Sequence, residues 1–431
     1  MSRINNKLGF LVLFIVLAVG IAIGVYISKN ESNQLVIPSA QAAKSAFAEQ
    51  KKTAPSPVEA KNPREVYYPG TEDLKPDEMR VVACGTGMPS PRPKQAAACW
   101  LVELGNGDKF LFDIGAGSHE RIAAQKIPYD YLDKIFIGHL HVDHYGDLAS
   151  FWLGGTTMNR LTPLRVWGPS GPTPELGTAH ALKLMEEMYA WDIATRSSII
   201  DARGMVLDVT EFDYKAVNKV IFDENGVKIR TIPAIHSIDG AVSFILEWNG
   251  LKLTYSSDTA PNSWWLEHTK DSDISIHESF MPPSLMISKQ GFSPEEALNV
   301  STIAHTSPQQ FGKLMSITKP RMAVGYHFQN DFDTLPVMIA EARKVYDGPL
   351  VFAEDYTVFN ITKDSIRVRE SAIDEAIFPE PAIKDKLPVP PPDSPPFSEF
   401  ISSGAERFPD VVGPIWDEIN KEYGTDYKLP K

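Results

Sequence analysis

Residues 135 to 147, IFIGHLHVDHYGD, constrain this chain more than any other stretch. An apolar run, Ile135 to Ile137, reads as a buried strand that ends at Gly138, and four potential metal ligands follow within six positions. His139 and His141 are two residues apart, so on extended backbone both rings leave from one face and can reach one ion. Asp143 and His144 come after the chain has begun to turn, which directs them to a second position nearby. Three imidazoles and a carboxylate crowded this closely are costly unless a cation neutralises and orders them, so ordinary surface histidines are the weaker reading.

A chain of 431 residues with 43% apolar residues can bury a full core in one large domain or two ordinary ones. Its net charge of −13 comes without a Lys/Arg cluster, which disfavours a long polyanion as the main partner. The two cysteines, Cys84 and Cys99, are too few for a disulfide framework or a thiolate zinc site; either free thiols or one bond between neighbouring strands fits them.

Residues 8 to 27 are apolar and uncharged, preceded by Arg3 and Lys7. Such a run is long enough to span a membrane as a helix with the basic flank in the cytoplasm, which would export the rest of the chain. A cleaved secretory signal with a site at Ala40-Gln41-Ala42 is the alternative. Gly20 and Gly24 form a GxxxG that would suit a homodimer. The expected division is an anchor over 1–28, a flexible tether over 29–77, a catalytic domain over 78–376 and a proline-rich extension over 377–431. Removal of residues 1 to about 75 should therefore leave a folded domain.

Within the domain, MRVVACGTG and KFLFDIGAGS each read as a strand running into a glycine turn, with a hairpin at Gly105 to Asp108 between them. Asp113, at the second strand end, either hydrogen-bonds the ligand loop or serves ordinary turn chemistry. Residues 148–154 and 174–195 have helical spacing, and the aromatics of the latter, Tyr189 and Trp191 among them, belong to the core or the rim of a cleft. His236 lies at a strand end, before a tight Asn249-Gly250 hairpin and a strand ending at Asp258. Further on, His277 and Glu278 occur in ISIHESF, His305 beside a helix start, and His327 after another apolar strand. His277 is as readily structural as functional, while His119, His180 and His268 have no motif around them and are expected at the surface.

From about residue 79 to 364 these motifs, in order, resemble the ribonuclease Z branch of the metallo-β-lactamase superfamily. ACGTGMPSPRP resembles its opening glycine motif, FLFDIGAGS the second, IFIGHLHVDHYGDL the metal loop, AIHSIDGAVSFIL and YSSDT the next two, HESF and AHTSPQQ the following pair, and YHF the last. The wording is also similar to bacterial metallo-hydrolases associated with guanitoxin biosynthesis. The resemblance implies an α/β four-layer fold, an αββα sandwich with metals at one edge of its two sheets. It implies that His139, His141 and His236 hold one zinc, Asp143, His144 and His327 a second, and that Asp258 bridges them; manganese or iron would also suit this sulfur-free set. His141 departs from the flavodiiron-like branch, which usually has glutamate there.

Two zinc ions about 4 Å apart share a water and lower its pKa to roughly 7. The expected activity is hydrolysis of a small ester, a phosphodiester by analogy, with Asp143 orienting the nucleophile, His305 protonating the leaving oxygen and Glu278 orienting His305. Lactonase, sulfatase or β-lactamase chemistry is the alternative within enzymes, and a non-catalytic envelope binding protein is the alternative outside them. A tRNA 3′-end endonuclease is disfavoured, because the long tRNA-gripping arm is missing between His236 and Asp258. The partners implied are a small-molecule substrate and the membrane, with the catalytic domain outside the cytoplasm.

Overall fold

The structure, a computed structural model, describes residues 66–196, 201–377 and 398–429. The apolar run at 8–27, the candidate cleavage site and the proline-rich stretch at 378–397 lie outside the described residues. Among those described, no helix is long and apolar enough to cross a membrane.

Two sheets carry the domain. The first consists of β1 (Val66–Tyr67), β2 (Met79–Gly85), β3 (Cys99–Leu104), β4 (Lys109–Phe112), β5 (Lys134–Phe136), β6 (Leu164–Pro169) and β7 (Leu207–Phe212), with β15 (Thr357–Ile361) and β16 (Ile366–Ser371) inserted between β1 and β2. The second runs β14 (Leu350–Phe352), β13 (Met322–Tyr326), β12 (Ile274–Glu278), β11 (Leu251–Tyr255), β10 (Val242–Trp248), β9 (Val227–Pro233) and β8 (Lys219–Glu224).

Successive residues of these strands belong to different cores. Val81, Trp100 and Phe112 of the first sheet pack with Phe244, Leu253, Tyr255 and Tyr326 of the second, which makes a dry layer between the sheets. Their neighbours Val82, Leu101 and Leu111 turn to the opposite face, under Phe151 and Trp152 of the helix Leu148–Thr157. Ile245 and Ala323 do the same on the second sheet, beneath Phe311 and Leu314 of the helix Pro308–Thr318. Burial on both faces explains the unbroken apolar stretches Val81–Cys84, Cys99–Val102 and Phe244–Leu246 within β2, β3 and β10. Four layers, helix, sheet, sheet and helix, follow from that patterning.

Strand direction then decides where chemistry can gather. β4, β5 and β6 are mutually parallel, and so are β11, β12 and β13. Their carboxyl ends release Asp113, His139, Asp258, Glu278 and His327 at one edge of the sandwich, where open α/β sheets usually bind ligands. The hairpins form as the sequence suggests. Leu104 N donates to Asp108 O at 2.9 Å, and Asn249 and Gly250 have φ of 50° and 78°, a type I′ pair. Cys84 and Cys99 are free and buried. Within the C-terminal extension, Pro409–Tyr423 form a helix with none of its side chains buried.

Residues 66–72, expected within the tether, pack against the domain. Val66 and Tyr67 pair in parallel with Glu370 and Ser371, and Tyr67 is buried under the guanidinium groups of Arg80 and Arg369, 4.6 and 5.0 Å from its ring centre. Glu72 receives both Arg369 terminal nitrogens, at 2.8 and 2.9 Å. A strand of two residues has no period to read, so the sequence boundary falls about a dozen residues late. Chains beginning at residue 64 and at residue 76 should therefore differ in denaturant midpoint. The shorter should be less stable by about 3 kcal/mol, the scale of losing one buried aromatic side chain, and equal midpoints would return residues 66–75 to the tether.

Candidate metal centre

The ligand loop is held at its root by one carboxylate. Asp113, itself at φ 57°, accepts from Gly138 N at 2.7 Å through one oxygen. Its other oxygen takes His144 Nδ1 at 2.6 Å, the Tyr255 hydroxyl at 2.6 Å and the Ser257 hydroxyl at 3.0 Å. Gly138 must be glycine because a Cβ there would lie 2.2 Å from Ser257 Oγ; at Gly115 one would lie 2.0 Å from the carbonyl oxygen of Asp143. His141 keeps extended backbone, and Val142–Tyr145 form a single helical turn. That change of period aims Asp143 and His144 away from His139 and His141.

Three ring nitrogens converge on the first position. His139 Nε2 lies 3.1 Å from His141 Nδ1, and His236 Nε2 lies 3.2 Å from the same atom. His236 Nδ1 donates to Ala304 O at 3.1 Å, which leaves Nε2 its lone pair. Burial lowers His236 to about 4 and pushes His139 well below the ordinary histidine value, so both rings are neutral, as ligands must be.

Four groups meet at the second position. His327 Nε2 is 3.2 Å from Asp143 Oδ2 and 3.3 Å from Asp258 Oδ2, and His144 Nε2 is 3.3 Å from Asp258 Oδ1. Asp258 Oδ2 also reaches within 3.8 Å of His236 Nε2, so one carboxylate stands between the two groups. Although burial opposes it, the neighbouring imidazoles of His327 and His144 hold Asp258 well below the usual carboxylate range.

Whether a metal suits these residues can be judged from their unspent hydrogen-bonding capacity. Among the described residues, Asp143 Oδ1, Asp258 Oδ1 and His144 Nε2 are buried without a hydrogen-bond partner, a costly arrangement for polar atoms aimed into one space. Each of the two sets, His139/His141/His236 and Asp143/His144/Asp258/His327, has its ligand atoms within 4.8 Å of one another. Nitrogen and oxygen donors without sulfur fit a borderline cation such as zinc at each.

Beside the second set stands His305, which follows a π-helical turn at Val300–Ala304. Its Nδ1 lies 3.1 Å from both oxygens of Glu278, and its ring stacks on Phe280 at 4.2 Å. Burial works against a charged ring here, but the carboxylates of Glu278 and Asp258 outweigh it and raise His305 to about 9. Glu278 is fixed in turn by Thr259 N at 2.6 Å.

Two cavities flank the loop that carries His236. One of about 300 Å³ contains His139, His141 and His236 with Tyr145, Leu176 and Ile238; the other, about 670 Å³, is lined by Tyr214, Trp264 and Ile303 beside His236.

All nine site residues proposed from the sequence therefore stand at one place. Ser257 and Tyr255 were not legible as members. Ser257, at φ 50°, lies 3.2 Å from His139 Nδ1, and YSSDT offers only its position before Asp258 as a signal. Nothing in the sequence marks Tyr255. His277 sits on the opposite side of β12 from Glu278, packed on Trp265 at 4.6 Å, and takes no part. His119, His180 and His268 are half-buried rather than exposed, because helix and loop contacts cover them; His119 Nε2 is 2.5 Å from the Tyr129 hydroxyl. Trp191 is 78% exposed, and Tyr189 packs under the outer face of the first sheet.

Residues 79–282 match the family model described as Anti-Pycsar protein Apyc1. Ribonuclease Z of Mycolicibacterium paratuberculosis is 31% identical over 188 residues, covering 42% of this chain and 64% of that protein, a little under two thirds of the relative's length. Ribonuclease Z of Thermoplasma acidophilum is 22% identical over 317 residues, 68% of this chain and 97% of the relative. The crystal structure of the metallo-beta-lactamase fold protein YhfI from Bacillus subtilis superposes with a TM-score of 0.50 at 15% identity, covering 66% of this chain and 100% of the other. The two sheets with their helices and the ligand edge thus define a metallo-β-lactamase fold. Within that class its sequence is similar to that of ribonuclease Z over the residues matched.

Asp113→Asn should weaken metal binding at the His144 position about 10- to 100-fold, because His144 loses the acceptor that fixes its tautomer. Asp258→Ala should retain fewer than two ions per chain, since like charges then face each other without the carboxylate between them. Elemental analysis after dialysis checks both; two ions retained in the Asp258 variant would remove it from the bridging position.

Proposed function

We propose that the chain is a metal-dependent hydrolase holding two zinc ions, with a small phosphodiester as substrate. The observation that carries this reading is the position of Asp258, within 4 Å of His144, His236, His305 and His327. His139, His141 and His236 would hold one ion, Asp143, His144 and His327 the other, with Asp258 shared. Bound there, the ions would supply Lewis-acid polarisation of the scissile centre and a water of lowered pKa.

The protein's own groups account for the remaining steps. Asp143 has an oxygen without a partner and can accept a hydrogen bond from the attacking water, which orients it. His305 is held by Glu278 through Nδ1, so Nε2 is the nitrogen left to pass a proton to the leaving oxygen. Phe280 fixes the plane of that ring by stacking. Cavities of about 300 and 670 Å³ are of the size that takes a small ligand.

The names of the relatives suggest RNA, yet β9 and β10 are joined here by residues 234–241 alone, which leaves no arm at that place. The net charge of −13 also speaks for a small substrate. A second reading, an uncharged ester or lactone, is favoured by the aliphatic lining of the smaller cavity at Leu176 and Ile238. Anchorage in the membrane with the domain outside the cytoplasm belongs to the same proposal and rests on the run at 8–27.

His305→Ala separates these roles. It should keep both ions, lose about a hundredfold to ten-thousandfold on alkyl phosphodiesters, and lose much less on nitrophenyl esters, whose leaving group needs little protonation. Steady-state rates on the two substrate series, with metal content measured alongside, decide it. Equal losses on both series would remove the acid role, and lost zinc would make His305 a ligand.

A further inference from the structure

Of the motifs in this chain, the first glycine turn, Gly85 to Gly87, supplies no ligand and no proton. Its contacts nevertheless lead to the second metal position. His327 has φ 67°, a backbone conformation that a non-glycine residue keeps only where its surroundings enforce it, and its N–H donates to Thr86 O at 2.8 Å. Thr86 is in turn fixed from behind. Its N–H and hydroxyl both donate to Asp355 Oδ1, at 3.0 and 2.8 Å.

Asp355 occupies the turn in which the chain leaves β14, at the edge of the second sheet, and enters β15, in the first. Its side chain is 4% exposed. The other carboxylate oxygen accepts from Ala96 N at 2.7 Å and from Arg121 Nε at 3.0 Å, which ties in the strand entry after the first glycine motif and the helix after the second. Gln95, next to Ala96, completes the circuit. Its amide nitrogen donates to Thr86 Oγ1 at 3.1 Å and to Phe328 O at 2.8 Å, and its oxygen receives Asn330 N at 3.2 Å. The residues on the carboxyl side of His327 are thus linked, through Gln95 and Thr86, to the carboxylate that fixes the residue holding its N–H.

We propose that Asp355 is a positioning residue for the second metal site: through Thr86 and Gln95 it locks the backbone of His327 in the conformation that delivers the ring to Asp143 and Asp258. Four donors on one carboxylate leave no room for an amide, because an asparagine must turn its own N–H toward one donor pair. Among the described residues, His139, His141 and His236 make no hydrogen bond to Asp355, Thr86 or Gln95, so loss of the circuit should fall mainly on one ion and largely spare the other. This rests on the two-ion reading above.

The experiment titrates Co²⁺ into the chelator-treated full chain in detergent, following visible absorption. The wild type, Asp355→Asn, Gln95→Met and His327→Ala are compared. The wild type should take two equivalents. Asp355→Asn should bind the second about 10- to 100-fold more weakly, the usual effect of a partner behind a ligand, with the first within about threefold of the wild type. Its residual spectrum should match that of His327→Ala. Two equivalents at wild-type affinity, or both weakened alike in a folded protein, would overturn the assignment. If Asp355→Asn does not fold, Gln95→Met decides alone, because it breaks the same path without disturbing a buried charge. Selective weakening of the second equivalent supports the assignment, and unchanged binding overturns it. A wild type that takes only one equivalent would remove the two-ion reading itself, and this inference with it, before any substitution is examined.

Discussion

Asp143 and Asp258 lie almost wholly out of water, and each faces imidazole nitrogens within about 3.3 Å. An isolated buried carboxylate is prohibitively costly, so these two persist only while positive charge is held against them. Protons on His144 and His327 can provide that charge, and so can a cation. The cation suits the geometry better, because three ring nitrogens, His139 Nε2, His141 Nδ1 and His236 Nε2, converge beside these carboxylates. Nearly every feature of this edge of the sandwich, from the parallel strands to the glycine that admits Ser257, serves to keep that arrangement from relaxing.

Rigidity comes from two sources. The layer between the sheets is aromatic and closely stacked, with Phe136 on Trp167 at 4.7 Å and Trp100 against Tyr326 at 5.7 Å, so the strand ends have little freedom to move. The turns that follow those strands are the second source. Asp113, Ser257 and His327 all have positive φ, and all three stand in or directly behind the ligand set. Conformations of this kind cost on the order of 1–3 kcal/mol each and survive where surrounding contacts over-determine them. Tyr255, Ser257 and Gly138 around Asp113, and Thr86 and Gln95 around His327, are those contacts.

What the sequence could reveal follows the range over which each feature is specified. His139, His141, Asp143 and His144 are packed into six residues, and a change from extended backbone to a turn within them was readable from that spacing, though not that the turn is helical. His236, Asp258 and His327 were readable as residues after apolar strands, and motif order linked them. Of the support behind them only Asp113 was readable, as one of two readings, and its particular partners were not. Asp113 reaches His144 across 31 residues and Tyr255 across 142, and neither separation leaves a local pattern. β1 failed for another reason: two residues are too few for alternation, although Tyr67 is as buried as any core tyrosine. β7 and β8 are half-exposed edge strands whose mixed polarity hides them in the same way.

A division of labour follows from where the two kinds of residue sit. The candidate ligands belong to strand ends and the turns that follow them, which the inter-sheet core fixes, and His305 to the π-helical turn beside them. Cavity walls at Tyr214, Leu176, Ile238 and Ile303 belong to turns and short helices attached outside that core. Changing such a wall need not disturb Asp258 or His305, so the cavities can vary while the ligand edge stays intact. The likeness to ribonuclease Z, carried by the motifs at that edge, therefore bears on the metal-ligand arrangement far more than on what the cavities admit.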